Sequence, residues 1–237
     1  LGIELTYNPT LKYSTKNIAP TEIDEYFRYK EINGYVHDMA AAMLGGVSTH
    51  AGLFGNAINV AKVMQLYIQN GNYGNQQILN PETINLFNNC YYCDEDNRRG
   101  VGFDKPQLED DGPTCGCISM NSFGHSGWTG TFAWADPDQE IIYVFLSNRS
   151  YPTGESAGKS KLVKENIRSK IQEIIYNSIN NFSNLKYIIF DDYGVWPGVK
   201  QIVNECLSNK MLVFEKYIGL NNVLVYITKL LKTHQRD

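Results

Sequence analysis

The segment "FGHSGWTGTFAWADPDQEIIYVFLSNR", Phe123 to Arg149, decides the architecture. Two runs rich in aromatic and β-branched residues, "TFAWAD" and "EIIYVFLSN", flank "DPDQ", which is turn chemistry, so the segment predicts a β-hairpin. Just ahead of the hairpin, a histidine, a serine and three glycines fall within eight residues. Glycine beside a strand lets another backbone approach closely. Free N–H groups at such an edge can pair with a peptide-like ligand or face an oxyanion. On these residues alone His125 has two readings: it can hold or shuttle a proton near neutral pH, or it is a solvated side chain on an ordinary glycine-rich turn. Ser126 has no partner base in the local sequence, so it is no obvious nucleophile.

Working outward, "KLVKENIRSKIQEIIYNSINNF" predicts one amphipathic helix from Leu162 to Ile179. Upstream, small residues and paired glycines from Ala40 to Gly55 suit turns and close backbone approach. Asn56 or Ala57 then starts a helix whose apolar positions Ile58, Val60, Ala61, Val63, Met64, Tyr67 and Ile68 recur at helical spacing until Asn70 and Gly71. In "LNPETINLFNN", Asn80 caps a further helix and Pro81 takes its first position. From Leu1 to Gly34 the chain is polar and broken by Pro9 and Pro20, which predicts extended surface chain with a short helix near Glu22 to Arg28. Strands followed by a closing helix predict an α+β fold, an antiparallel sheet covered on one face. At Ser183 the character changes. "LKYIIFDDYGVWPGVKQIVNECLSNKMLVFEKYIG" reads as strand, acidic turn, helix and strand, a βαβ-like appendage over 183–237 set apart from a main domain over 1–182.

With 237 residues, 43% hydrophobic and 19% charged, the chain has the composition of a globular protein with a real core. No run approaches the ~18 apolar residues that a membrane span needs. A net charge of −4 without a basic patch argues against a nucleic-acid partner and favours a small molecule or peptide. The opening "LGIELTYNPTLKYSTKN" has no Met, basic n-region or apolar h-region, so a cut N-terminus or a fragment is expected. Cys90, Cys93, Cys115 and Cys117 cluster, while Cys206 is distant. Four thiolates on zinc, disulfides and free thiols are the open readings of the cluster.

"IAPTEIDEYFR", "VHDMAAAMLGGVSTHAGLFGNAINVAKVMQLYIQNGNY", "RGVGFDKP" and "SFGHSGWTGTFAWADPDQEIIYVFLSNRSYP" together resemble the C-terminal part of the serine β-lactamase-like family. That family includes penicillin-binding proteins, class C β-lactamases and esterases, and the version fused to bacterial N-acetylglucosaminidase-type glycoside hydrolases is the nearest likeness. The resemblance covers about residues 1 to 180, and it implies an antiparallel sheet flanked by helices with no cofactor. It implies a serine acyl-enzyme mechanism built from an SxxK motif, a tyrosine motif and a KTG-like triplet on a strand beside the substrate. "HSG" stands in the triplet's place. On that basis His125 would polarise the site and Ser126 and Thr129 would lie along the substrate. Gly127 would give clearance, and the Trp128 N–H would form half of an oxyanion hole.

The nucleophile motif should precede a segment like Leu1 to Asn8. The SxxK string Ser156 to Lys159 follows the hairpin instead, and "YSTK" at Tyr13 to Lys16 fails the spacing. The chain is therefore expected to lack its nucleophile, to be inactive alone, and to leave a sheet edge bare where the N-terminal part of the domain would pair. His37-Asp38 reads as a dyad or, more simply, as a helix cap. His50 lines the glycine-rich segment as a turn or a catalytic residue, Arg98-Arg99 reads as a solvated pair, and Asp136 serves the "ADPD" turn. The tail's "YIIFDDYGVWPGVKQIVNECL" resembles macrocin-type O-methyltransferases, in which Asp191 and Asp192 would hold a metal, but the glycine-rich cofactor turn is absent. The bland reading of that pair is a helix cap. By family the location is periplasmic or extracellular, while free thiols would argue for the opposite.

Overall fold

The computed structural model describes residues 1–95, 97–106, 112–152, 161–181, 187–190 and 224–229. In chain order the elements are β1 (Pro20–Asp24), β2 (Lys30–Asn33), α1 (Met39–Met43), α2 (Ala57–Ile68), β3 (Asn72–Tyr73), β4 (Gln76–Gln77) and α3 (Pro81–Asn88). They continue with β5 (Phe123–Ser126), β6 (Phe132–Asp136), β7 (Ile141–Leu146), α4 (Lys161–Lys164), α5 (Ile167–Asn181), β8 (Tyr187–Phe190) and β9 (Leu224–Lys229).

The predicted hairpin is the centre of the molecule. β6 pairs with β7 from Phe132↔Phe145 to Asp136↔Ile141, and β5 adds to the other side of β6. Asp136, fully buried, closes the turn by accepting the N–H groups of Asp138 and Gln139. It also accepts from Ser119 and from the Tyr176 hydroxyl, so the turn is tied to α5. The five-stranded sheet runs β5-β6-β7-β9-β8, antiparallel throughout.

Both faces of this sheet are covered, where one was expected. Ile141 to Phe145 form an unbroken apolar run, and every one of them is buried. A strand apolar on both sides needs two layers. On one face Phe132, Trp134, Ile141, Tyr143 and Phe145 meet Ile175, Tyr176 and Ile179 of α5. On the other, Phe123, Ala135, Ile142 and Val144 meet Ala57, Ala61 and Met64 of α2. β6 sorts its side chains by size, aromatics toward α5 and alanines toward α2, which lets α2 pack close.

Local signals explain the helices. The Asn56 side chain accepts the Asn59 N–H at 2.9 Å and starts α2, which stops before Asn70 and Gly71 at φ 51° and 83°. Asn80 accepts the Glu82 N–H at 2.8 Å ahead of Pro81, as predicted for α3. The helix expected as one piece from Leu162 to Ile179 is broken into α4 and α5, with Asn166 between them at φ 49°. The helix expected near Glu22 to Arg28 is instead the end of β1 and a turn into β2. Asp24 accepts the N–H groups of Tyr26, Phe27 and Arg28, which bends the chain back before a helical turn can form.

β8 and β9 extend the main sheet and pair antiparallel with each other, whereas a βαβ unit would make them parallel. The acidic turn at Asp191 and Asp192, the following helix, and the proposed boundary at 183 lie outside the described residues, as does Ser156 to Lys159. Among the described residues no helix is long and apolar enough to cross a membrane.

Candidate functional site: the edge strand β5

β5 ends the sheet, and side chains on a strand alternate between faces. Phe123 is buried against α2, so His125 lies on that same face, where it is exposed. The outer edge of β5 is partly closed. The Asp104 N–H donates to Gly124 O at 2.8 Å, and the Gly124 N–H returns to Asp104 O at 3.1 Å. Those bonds use the outward-facing amide and carbonyl of Gly124, so two residues on, the Ser126 N–H faces the same edge.

The strip 98–105 folds back on itself, with the Lys105 N–H on Arg98 O and the Gly100 N–H on Phe103 O. Docked at Gly124, it delivers Arg99 to His125, with Nη1 2.9 Å from Nε2. Arginine has only donors, so Nε2 must accept, and Nδ1 carries the proton. Nδ1 in turn donates to Ser126 O at 2.8 Å. His125 is thus a neutral imidazole of fixed tautomer, and the cation at this strand is Arg99. The solvated-pair expectation for Arg98 and Arg99 is corrected accordingly. Both approach Asp104, 1% exposed, at 3.4 and 3.2 Å, the second close enough for charge pairing but poorly aligned for a hydrogen bond. Arg99→Met is expected to release the lock. Nitrogen-15 spectra should show a protonated Nδ1 and bare Nε2 in the parent chain, averaging between tautomers in the variant; a parent spectrum with Nε2 protonated would sink the assignment.

The turn after β5 is tethered to the end of β7. The Gly127 N–H donates to Thr131 O at 2.7 Å, the Ser147 hydroxyl to Gly130 O at 2.7 Å, and the Arg149 N–H to Thr129 O at 2.8 Å. The Arg149 guanidinium sits 4.8 Å from the centre of the Trp128 ring, which is 59% exposed. Among the described residues the Trp128 N–H has no acceptor. A Cβ on Gly127 would lie 2.1 Å from Thr131 Oγ1, so the clearance at Gly127 is used by the turn itself, not left for a ligand.

The remaining candidates separate. Asp38 caps α1, accepting the Ala41 N–H at 2.8 Å, and His50 Nε2 sits 2.9 Å from Asp38 Oδ1. His37 turns elsewhere, 3.2 Å from Glu22 Oε2, so His37 and Asp38 form no dyad. Cys90 is bonded to Cys93 and Cys115 to Cys117, which corrects the four-thiolate zinc reading. Lys105, which the sequence did not single out, is buried beside the Phe123 ring, and burial pulls its amine down to about 8 against the opposing charge of Asp138.

The margin of this helix-backed antiparallel sheet thus presents a hydroxyl, a neutral imidazole and, among the described residues, an unpartnered N–H. The family model described as Beta-lactamase matches residues 12–166, and the chain belongs to that family. Relatives named "Putative D-alanyl-D-alanine carboxypeptidase" occur in Escherichia coli (strain K12) and Escherichia coli O157:H7, each 36% identical over an alignment 165 residues long that covers 64% of this chain and 38% of the relative. One of the same name in Salmonella enteritidis PT4 (strain P125109) is 34% identical over the same shares. The chain therefore spans 38% of the length of these relatives. No solved structure matches it.

Proposed function

We propose that residues 1–182 are the substrate-docking part of a serine hydrolase that transfers acyl groups from an amide or ester of the cell wall, with residues 183–237 an appended segment. The observation that carries this reading is the margin of β5, where the Ser126 and Trp128 amides lie beyond the Asp104 clamp. An extended ligand would pair at Ser126, with Thr129 further along, and the Trp128 N–H would receive the developing oxyanion. Losing such a donor typically raises the barrier by about 2.7–4 kcal/mol. Arg99 rather than His125 would supply the positive charge. The nucleophile and its lysine would come from sequence beyond these residues, so the chain by itself would be inactive toward β-lactams. The two disulfides support an oxidising compartment such as the periplasm.

The test is incubation of the chain with a fluorescent penicillin, alone and mixed with an upstream fragment carrying SxxK and YxN motifs. No covalent label alone and a label on the fragment in the mixture is the expected result. A label on the chain alone that Ser156→Ala abolishes would overturn it. Ligand retained without any label in the mixture would favour a non-catalytic binding module.

A further inference from the structure

The glycine-rich loop after α1 holds a hydrogen-bonded series that the sheet-edge site does not use. Ser48 Oγ lies 2.8 Å from His50 Nδ1, and His50 Nε2 lies 2.9 Å from Asp38 Oδ1. Valence fixes where the protons are. The Ala41 N–H, and after it the His50 ring, hold the Asp38 carboxyl below its usual range, so at neutral pH it is ionised and can only accept. His50 Nε2 must therefore carry the hydrogen. In the neutral ring Nδ1 is then bare, and the Ser48 hydroxyl donates to it. A hydroxyl whose proton already points at a base, with that base held from behind by a carboxylate, is the ground-state arrangement of an activated nucleophile.

The surroundings keep the three in place. Asp38 is pinned as the α1 cap, and the Tyr7 hydroxyl donates to Ser48 O at 3.0 Å. Gly52 packs so close to Gly46 O that a Cβ would lie 2.4 Å from it, which folds the loop tightly. Among the described residues the N–H groups of Thr49, His50 and Ala51 have no acceptor, leaving donors beside Ser48 for an oxyanion. The side chains of His50 and Asp38 are 52% and 42% exposed, so the site is open to water and to small ligands without a walled pocket.

We propose that Ser48, His50 and Asp38 form a second acyl-transfer site, independent of the β5 margin, that cleaves small, unhindered carboxylic esters. Ser48 Oγ bonds to the ester carbon while its proton passes to His50 Nδ1. The carbon–oxygen bond to the alcohol then breaks, and the proton leaves on the departing alcohol. Water repeats the sequence on the acyl-serine, releasing the acid and restoring Ser48. Ser48 and His50 are the catalytic residues, and Asp38 is a positioning residue that fixes the tautomer.

The full 237-residue chain, incubated with p-nitrophenyl acetate, should release p-nitrophenol at a rate that Ser48→Ala or His50→Gln lowers by about 10²–10⁴-fold. Ser48→Cys, which keeps a nucleophile at that place, should retain cleavage. A fluorophosphonate probe should modify the chain once, with peptide mapping placing it on Ser48. Asp38→Asn still caps α1, so the fold should hold while nitrogen-15 spectra of His50 lose the Nε2–H tautomer and the rate falls. Probe on another residue, or an ester rate unchanged in Ser48→Ala, would overturn the proposal. The penicillin experiment uses none of these residues, so either result stands without the other.

Discussion

Replacing Arg28 by methionine is expected to destabilise the fold by about 3–5 kcal/mol, because it strands two buried carboxylates. Glu22 and Asp24 are 0% and 1% exposed, and the Arg28 guanidinium meets both, Nη2 at 2.7 Å from Glu22 and Nε at 2.5 Å from Asp24. Two further donors go to the carbonyls of Val36 and His37, which fastens β2 and the chain beyond it to the β1 turn. Against a typical total of about 5–15 kcal/mol, that loss would unfold a large fraction of the protein on mild warming. The triple variant Arg28→Met, Glu22→Gln, Asp24→Asn should recover much of it, since the charges that lost their partner are gone too. Acid provides a second measurement. Burial alone would raise the Asp24 carboxyl, but the Arg28 bond and the N–H groups of Phe27, Tyr26 and Arg28 outweigh it and bring it down to about 2. A depressed folded value means that ionised Asp24 contributes stability in full above its unfolded value of about 3.9 and loses it as pH falls toward 2. Urea midpoints at pH 7 and pH 3 should differ in the parent and differ less in Asp24→Asn; equal differences would remove Asp24 from this account.

The same cluster shows where sequence reasoning reached its limit. Asp24 and Arg28 are four apart, the spacing of a helical ion pair, and the charged run around them reads as a solvated helix. What the spacing conceals is that Asp24 spends its oxygens on the backbone of a turn, and that both acids face inward. The hairpin, α2 and α3 were legible because their signals are local: alternating β-formers around a turn, an asparagine cap, a proline at the first helical position. The second covered face was missed, although the unbroken apolar run of β7 carried its signal. The sheet-edge position of His125 followed from the hairpin, but its contact with Arg99 did not. Those residues are 26 apart, and only the pairing of Asp104 with Gly124 brings them together. Ser48, His50 and Asp38 were hidden for the same reason, since loop closure, not periodicity, assembles them.

Truncating Trp134 to alanine is expected to cost about 3–5 kcal/mol and to disturb the site it never touches. The indole is 1% exposed and stacks on Phe132, ring centres 5.6 Å apart and planes 11° apart. Its Nε1–H donates to Ser122 Oγ at 2.9 Å, and Ser122 is wholly buried. Truncation therefore opens a cavity and leaves a buried hydroxyl without its donor. Trp134→Phe keeps one ring against Phe132 and loses the donor and part of the indole's volume, which should cost about 1–3 kcal/mol. The functional consequence runs through Gly124, which stands opposite Trp134 in the ladder. A Cβ there would lie 2.5 Å from the indole ring and 2.2 Å from Ala133 O, so the bare residue is what lets the ring lie across β5. Gly124 is also where Asp104 docks and so where Arg99 is delivered. Without the indole beneath it, β5 should shift, the Asp104 pairing should loosen, and the His125 ring should begin to average between tautomers. Trp134→Phe should leave that lock in place despite its lower stability, which separates positioning from general destabilisation. If Trp134→Ala loses stability while the His125 nitrogen shifts stay at their parent values, the core does not position the edge, and the strip from Arg98 to Lys105 holds the imidazole by itself.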